Sequence, residues 1–268
     1  MKTAELQGLS VEQRRRFDER GLVRLEGLIP RRTAEEMADR LWAELARKHG
    51  ARRGHPASWG VERPQQFKPL TAGGAFKAMA TPAYRAVLDD LMGPGRWEPP
   101  KAWGQPLVCF PSQLRWEVPH QNWHLDLPAN PNYQAMMLGR LFTILAPLKP
   151  RGGGTLVAAG SHRIAARLAD TMGVQQSSSM MRKRMKTEHR WFHDLMSPDL
   201  SRSDRVTRFM GAETDVDGVP CQVEEVTGEP GDVVLMHPAA LHTLAPNVLD
   251  QARLVLAQSI FPKAWSGV

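Results

Sequence analysis

Three side chains, distant along the chain, are of the types that one divalent metal ion needs. His124 and Asp126 stand two positions apart in Trp123-His124-Leu125-Asp126, and on an extended strand such residues leave from the same face. An imidazole and a carboxylate so placed can converge on one ion. A third ligand is available at His242, which follows the turn Gly228-Glu229-Pro230-Gly231-Asp232 and the apolar strand Val233-Val234-Leu235-Met236. The next strand would carry His242 into the mouth of a barrel. Two imidazoles and one carboxylate form a facial triad, which leaves the remaining octahedral positions open and suits non-haem Fe(II). The His-x-Asp triplet is weak evidence alone and depends on the elements around it.

A second feature lies beyond His242. Arg253 opens the apolar run Leu254-Val255-Leu256-Ala257, where a guanidinium is costly unless it meets an anion, and its planar fork matches a carboxylate. Two partners satisfy that need: the distal carboxylate of 2-oxoglutarate, or an Asp or Glu of the chain itself.

The elements that must position these groups are legible in outline. Ser10 with Gln13 is a capping-box pattern for a helix running to about Arg20 and closed by Gly21. Leu22 to Leu25 reads as a short strand, and a second helix follows Pro30, with Met37, Leu41 and Leu45 at helical spacing. The stretch 51–69, rich in Arg, Gly and Pro, reads as loop, and a third helix is expected from Pro82 to Met92. Beyond Pro100 the texture changes to short apolar or alternating runs. The strands expected are Gln105 to Trp116, Gln134 to Ala146, Thr155 to Ala158, Cys221 to Val226, Asp232 to Met236 and Arg253 to Phe261. Many short strands separated by turn residues point to a barrel or jelly roll. The expected organisation is a single domain over 1–268, with a mostly helical flank over 1–100, barrel strands within 101–160 and 221–262, and a helical insertion, cover or lid, over 162–211.

Composition narrows the function. Lys and Arg exceed Asp and Glu by 35 to 28, a net charge of +7, which favours an anionic small-molecule substrate. The basic residues are spread along the chain. The densest run, Arg182-Lys183-Arg184-Met185-Lys186, has no RNA-binding or zinc-finger pattern beside it, and the chain holds only two tyrosines for stacking on bases. Nucleic acid is therefore not an expected partner. The two cysteines, Cys109 and Cys221, form no Cys-x-x-Cys pair, and no apolar run reaches the length of a membrane span, so a cytoplasmic protein without membrane attachment is expected. Oligomeric state is not written in the residues.

Four blocks in the same order resemble the phytanoyl-CoA dioxygenase-like family of iron and 2-oxoglutarate dependent oxygenases. They are the opening segment Leu9 to Ile29; Gln121-Asn122-Trp123-His124-Leu125-Asp126; Gly152-Gly153-Gly154-Thr155-Leu156-Val157-Ala158-Ala159-Gly160-Ser161-His162; and Gly231-Asp232 through His237-Pro238, Leu241-His242, Pro246-Asn247 and Arg253. The resemblance implies a mainly β protein with flanking helices, built on a double-stranded β-helix (a jelly roll, cupin-like core). It implies Fe(II) on His124, Asp126 and His242, O2 and 2-oxoglutarate as co-substrates, Arg253 on the far carboxylate of 2-oxoglutarate, and hydroxylation of a C–H bond with release of succinate and CO2. Halogenating relatives have a small residue at the carboxylate position, so Asp126 favours hydroxylation or desaturation. One departure stands out. The family often has Ser or Thr two positions after the distal His, whereas this chain has Leu244 there and Thr243 one position earlier. Thr243 and Gln121 are the candidate helpers of Arg253. Gln105 and Trp116 are candidate substrate contacts, with Arg115 and the segment Met180 to Trp191 as further wall. His162 and His237 read as packing residues beside the site. The rival reading is a cupin-type metal-binding barrel, an isomerase or zinc protein, that does not use 2-oxoglutarate.

Overall fold

The computed structural model describes residues 8–126, 139–172 and 177–263. The first helix, α1 (Val11–Arg20), has both halves of the capping box: the Ser10 hydroxyl accepts from the Gln13 N–H, and the Gln13 side chain accepts from the Ser10 N–H. Gly21 ends it in the left-handed region at φ 75°, where a Cβ would stand 2.5 Å from the imidazole of His162. Glycine is required there on both counts. Strand β1 (Leu22–Leu25) and helix α2 (Arg31–His49) follow, and α2 buries Ala34, Met37, Ala38, Leu41 and Leu45 along one stripe. The stretch 51–69 is mostly loop, but Lys68–Ala72 forms a short helix, α3. It was not foreseen, because five residues are too few to show a helical period. Helix α4 (Pro82–Met92) starts on Thr81, whose hydroxyl accepts from the Tyr84 N–H.

Eight further strands build the core: β2 (Gln105–Cys109), β3 (Gly139–Ile144), β4 (Thr155–Ala159), β5 (Thr214–Val216), β6 (Val219–Glu225), β7 (Val233–Met236), β8 (His242–Leu244) and β9 (Arg253–Ile260). β2 stops seven residues short of the expected Trp116, since Pro111 interrupts it and the Phe110 N–H turns to the carbonyl of Glu62. The expected start of β3 at Gln134 lies outside the described residues. The three-residue strand β5 was not anticipated.

All pairings within the two sheets are antiparallel, in the orders β1-β7-β3-β9-β2 and β5-β6-β4-β8. Their inner faces share one apolar layer: Phe142, Ile144, Val234, Met236, Val255 and Ala257 from the first sheet, Val157 and Ala159 from the second. This is a double-stranded β-helix with flanking helices. Alternation along each strand assigns the other residues outward. Leu141, Val233, Leu235, Leu254 and Leu256 pack against α2 and α4, while Leu156, Ala158, Cys221 and Val223 pack against a helical layer.

That layer comprises α5 (Ser161–Met172), α6 (Ser178–Glu188), α7 (Arg190–Leu195), α8 (Arg202–Val206) and the π-helical turn Thr207–Gly211. Its Met181, Met185, Trp191, Phe192, Leu195 and Phe209 are buried in one apolar cluster with Leu156, Ala158, Cys221 and Val223 of the second sheet. Among the described residues, no helix is long and apolar enough to cross a membrane.

Candidate metal centre

The sequence 122–126 approaches β8 from the side. His124 and His242 exchange backbone hydrogen bonds at 3.0 and 2.9 Å as an isolated antiparallel bridge, and the Asp126 N–H donates to the carbonyl of Pro238 at 3.1 Å. His124 and Asp126 therefore face one way, and Leu125 between them is buried in the core beneath the helical layer. Helix α6 fixes this segment from outside. The Ser178 hydroxyl bridges the Leu125 N–H and carbonyl at 3.2 and 2.8 Å, and Arg182 donates to the Trp123 carbonyl at 3.2 Å.

The turn from His237 to Ala240 delivers the other ligand. Its carbonyl of Ala240 stands 3.0 Å from His242 Nδ1, and the carbonyl of Asn122 stands 2.9 Å from His124 Nδ1. A carbonyl can only accept, so both imidazoles carry a proton on Nδ1, which leaves Nε2 as the atom that each can offer a metal. Both Nε2 atoms look at the same oxygen: Asp126 Oδ1 lies 4.0 Å from that of His124 and 3.8 Å from that of His242. The ligand atoms of the three residues all lie within 4.8 Å of one another. Burial holds His242 in the neutral form a ligand needs, with its pKa pushed down to about 4 by desolvation against the opposing pull of Asp126. The His242 side chain is 5% exposed and that of His124 51%, so the open side of the cluster lies at His124.

Arg253 crosses the interior. It sits on β9 on the same face as Val255 and Ala257, is 3% exposed, and donates from one terminal nitrogen to Thr155 Oγ1 at 3.2 Å on the opposite sheet. Its Nε has no acceptor, and among the described residues no carboxylate pairs with it. Desolvation draws its pKa down to about 10, which leaves it charged at neutral pH. In the register of β4 and β8, Val157 faces His242 and Thr155 faces Leu244. The buried guanidinium thus acts two residues along the strand from the imidazole, roughly 7 Å deeper. Thr155, whose hydroxyl accepts from Arg253, is the register partner of Leu244.

The remaining sequence candidates are placed as follows. The Thr243 side chain is turned to the opposite face of β8, with its hydroxyl donating to the carbonyl of Gln121 at 3.2 Å; the Gln121 side chain is exposed. Trp116 stacks over the Arg151 guanidinium at 5.6 Å, beside the turn into β4. Gln105 stands at the barrel mouth, where it lines a cleft of about 560 Å³ with Lys101, Ser259 and Arg140. Arg140 was missed by the sequence reading, and it contacts the metal cluster directly: its Nε lies 2.8 Å from Asp126 Oδ2. The signal was available, since Arg140 opens an apolar run just as Arg253 does.

His162 and His237 lie side by side, ring centroids 4.9 Å apart, under the junction of α1 and β1. His162 Nε2 is 3.0 Å from the Asp18 carbonyl, and the His237 N–H donates to the Gly21 carbonyl at 2.7 Å. Both are packing residues. Burial lowers the pKa of His162 to about 4 and that of His237 well below its usual value. Below pH 6.5 an unfolded chain protonates these rings while the native one resists, so stability is full above about 6.5 and is lost as pH falls towards 4. The effect is on the order of 3 kcal/mol for His162. Urea midpoints should fall over that window and fall less in His162→Leu; an equal slope in the variant would reject this origin.

No protein-family model and no curated protein matches the chain. Solved structures do. EctD from S. alaskensis, with 2-oxoglutarate and 5-hydroxyectoine, aligns over 97% of this chain and 78% of its own at 16% identity and a TM-score of 0.55. HygX from Streptomyces hygroscopicus, with nickel and 2-oxoglutarate bound, covers 96% and 89% at 13% identity and a TM-score of 0.52. SnoK from nogalamycin biosynthesis, described as a non-haem alpha ketoglutarate dependent carbocyclase, covers 95% and 84% at 17% identity and a TM-score of 0.51. At these identities the likeness establishes the architecture: the chain has the double-stranded β-helix fold found in non-haem 2-oxoglutarate-dependent enzymes.

Proposed function

We propose that the protein is an Fe(II)- and 2-oxoglutarate-dependent dioxygenase that hydroxylates an unactivated C–H bond of a small molecule, releasing succinate and CO2. In this reading His124, Asp126 and His242 hold the metal, and Arg253 with Thr155 holds the distal carboxylate of 2-oxoglutarate. The donor set fits Fe(II), with two imidazole Nε2 atoms and one carboxylate oxygen converging and one side of the cluster open. The iron would activate O2 while 2-oxoglutarate supplies two electrons, so that one oxygen atom enters the substrate and the other enters succinate.

The chain's own residues do the rest. The carbonyls of Asn122 and Ala240 keep the imidazole protons away from the metal side. Val157 and Val255 line the interior around Arg253 with apolar surface that excludes water. The substrate would approach from the mouth at Gln105. A cytoplasmic setting belongs to the same reading, as both cysteines are buried free thiols.

The observation that carries the proposal is the buried guanidinium of Arg253, which pairs with no carboxylate among the described residues and donates to Thr155, two positions along β4 from the register partner of His242. A cupin-type isomerase or zinc protein has no use for it. Hydroxylation is the finer part of the proposal. SnoK is described as a carbocyclase, so the same scaffold admits other outcomes once a C–H bond has been oxidised.

Anaerobic addition of Fe(II) and 2-oxoglutarate should produce the weak visible charge-transfer band of an iron chelate. Arg253→Met should weaken 2-oxoglutarate binding roughly ten- to hundredfold, as expected for a charge-assisted pair of about 1.5 to 3 kcal/mol. An unchanged titration in that variant would refute the role of Arg253, and absence of the band in the unaltered protein would refute the co-substrate.

A further inference from the structure

Asp126 uses its two oxygens differently. Oδ1 faces both imidazole Nε2 atoms, at 4.0 and 3.8 Å, while Oδ2 lies 2.8 Å from the Nε of Arg140 in an ion pair whose N–H is not aligned as a hydrogen bond. The guanidinium is itself constrained. Its Nη1 donates to Ser259 Oγ at 2.9 Å, directly across the β3–β9 register, and its plane lies 5.4 Å from the ring centroid of Phe142. Arg140 belongs to the first strand pair at the barrel mouth, with Met236 as its other register partner. A strand, a hydroxyl and an aromatic ring thus hold one cation beside one carboxylate oxygen.

From this geometry we infer that Arg140 is a positioning residue: it occupies Asp126 Oδ2 so that the carboxylate meets the metal through Oδ1 alone. The inference rests on the assignment of His124, Asp126 and His242 as metal ligands. Its chemical content is a count of coordination sites. A carboxylate free to turn can bind a divalent ion through both oxygens, and the second oxygen would fill one of the positions that a facial triad leaves open. Those positions are needed for the bidentate chelation of a 2-oxo acid and for O2. With Oδ2 engaged by a guanidinium, the second bond to the metal would have to break an ion pair first. The arrangement also accounts for an arginine at the head of the buried run Leu141-Phe142-Thr143-Ile144.

The test reads the metal without turnover. Mn(II), which binds the same ligand types, is added to the protein, and its exchangeable water is counted by water-proton relaxation. Arg140→Met is expected to hold Mn(II) with one fewer exchangeable water than the unaltered chain, and to bind 2-oxoglutarate at least about tenfold more weakly, the effect typical of losing a group that orients a metal ligand. Arg140→Lys, with a cation of different reach and no fork, should recover part of the loss. Should Arg140→Met fail to fold, Ser259→Ala carries the question, because it removes only the hydroxyl that holds the guanidinium and should shift both readings in the same direction by less. The same water count and the same 2-oxoglutarate affinity in the variants as in the unaltered chain would overturn the inference while leaving the metal assignment intact. Failure of the unaltered chain to bind Mn(II) would overturn the metal assignment itself, and the inference with it.

Discussion

Asp126→Ala is expected to abolish succinate formation and to weaken Fe(II) binding by more than about a hundredfold, with the far-ultraviolet circular dichroism of the parent protein retained. Removing a group that merely orients a ligand commonly costs ten- to hundredfold in metal affinity, and Asp126 is assigned as a ligand itself. Its oxygen is the point at which both Nε2 atoms meet, so without it two neutral imidazoles remain and no anion balances the ion. The fold should survive because the Asp126 side chain is 21% exposed, and because the backbone hydrogen bonds of the segment, to Pro238 and His242, do not depend on it. The measurement is iron content by mass spectrometry after gel filtration, together with succinate released during a substrate screen. Normal iron content with normal succinate release would remove Asp126 from the site.

Arg205→Met should destabilise the protein by about 3 kcal/mol or more, because each buried acceptor left without its donor costs about 1 to 3 kcal/mol. The Arg205 guanidinium is 2% exposed and donates to five backbone carbonyls: Val118 at 2.7 Å, Pro119 at 3.0 Å, Asp194 at 3.2 Å, Leu195 at 2.5 Å and Ser197 at 2.8 Å. The far side of its plane rests on Phe209 at 5.3 Å. Methionine can fill much of the volume but leaves those carbonyls without a donor. Domains of ordinary size are stable by only about 5 to 15 kcal/mol, so the loss is a large share of the total. Urea unfolding followed by tryptophan fluorescence would measure it. Arg205→Lys should rescue incompletely, since an ammonium has three donors and cannot span the same fork. A change below about 1 kcal/mol in Arg205→Met would show that water satisfies the carbonyls. Val118 and Pro119 lead directly into the metal segment, so the variant should also bind Fe(II) more weakly.

Much of the architecture could be read from local signals. The capping box at Ser10, the helical stripe of Met37, Leu41 and Leu45, and the turn before Val233 are each decided by neighbours in sequence, and the structure places helix, helix and strand there. What local patterns could not reveal is which distant residues share a register. The sequence shows that Leu244 lacks a hydroxyl and offers Thr243 nearby, but side chains on a strand alternate, so Thr243 points away while Thr155 stands opposite Leu244. Arg140 was passed over within an apolar run because its meaning depends on Asp126, a contact formed only by the fold. Arg205 gave still less signal, for its acceptors are backbone carbonyls, which any sequence supplies. The short helix at Lys68 and the strand at Thr214 are below the length at which periodicity can speak.

The grip of α6 on the metal segment bears on how such a molecule could breathe. Ser178 replaces, for Leu125, the neighbour that a paired strand would ordinarily provide, and Arg182 does the same for the Trp123 carbonyl. The outer helix is therefore stitched to the very backbone that presents His124 and Asp126. Any outward shift of this helix would have to break those bonds or carry the imidazole and the carboxylate with it.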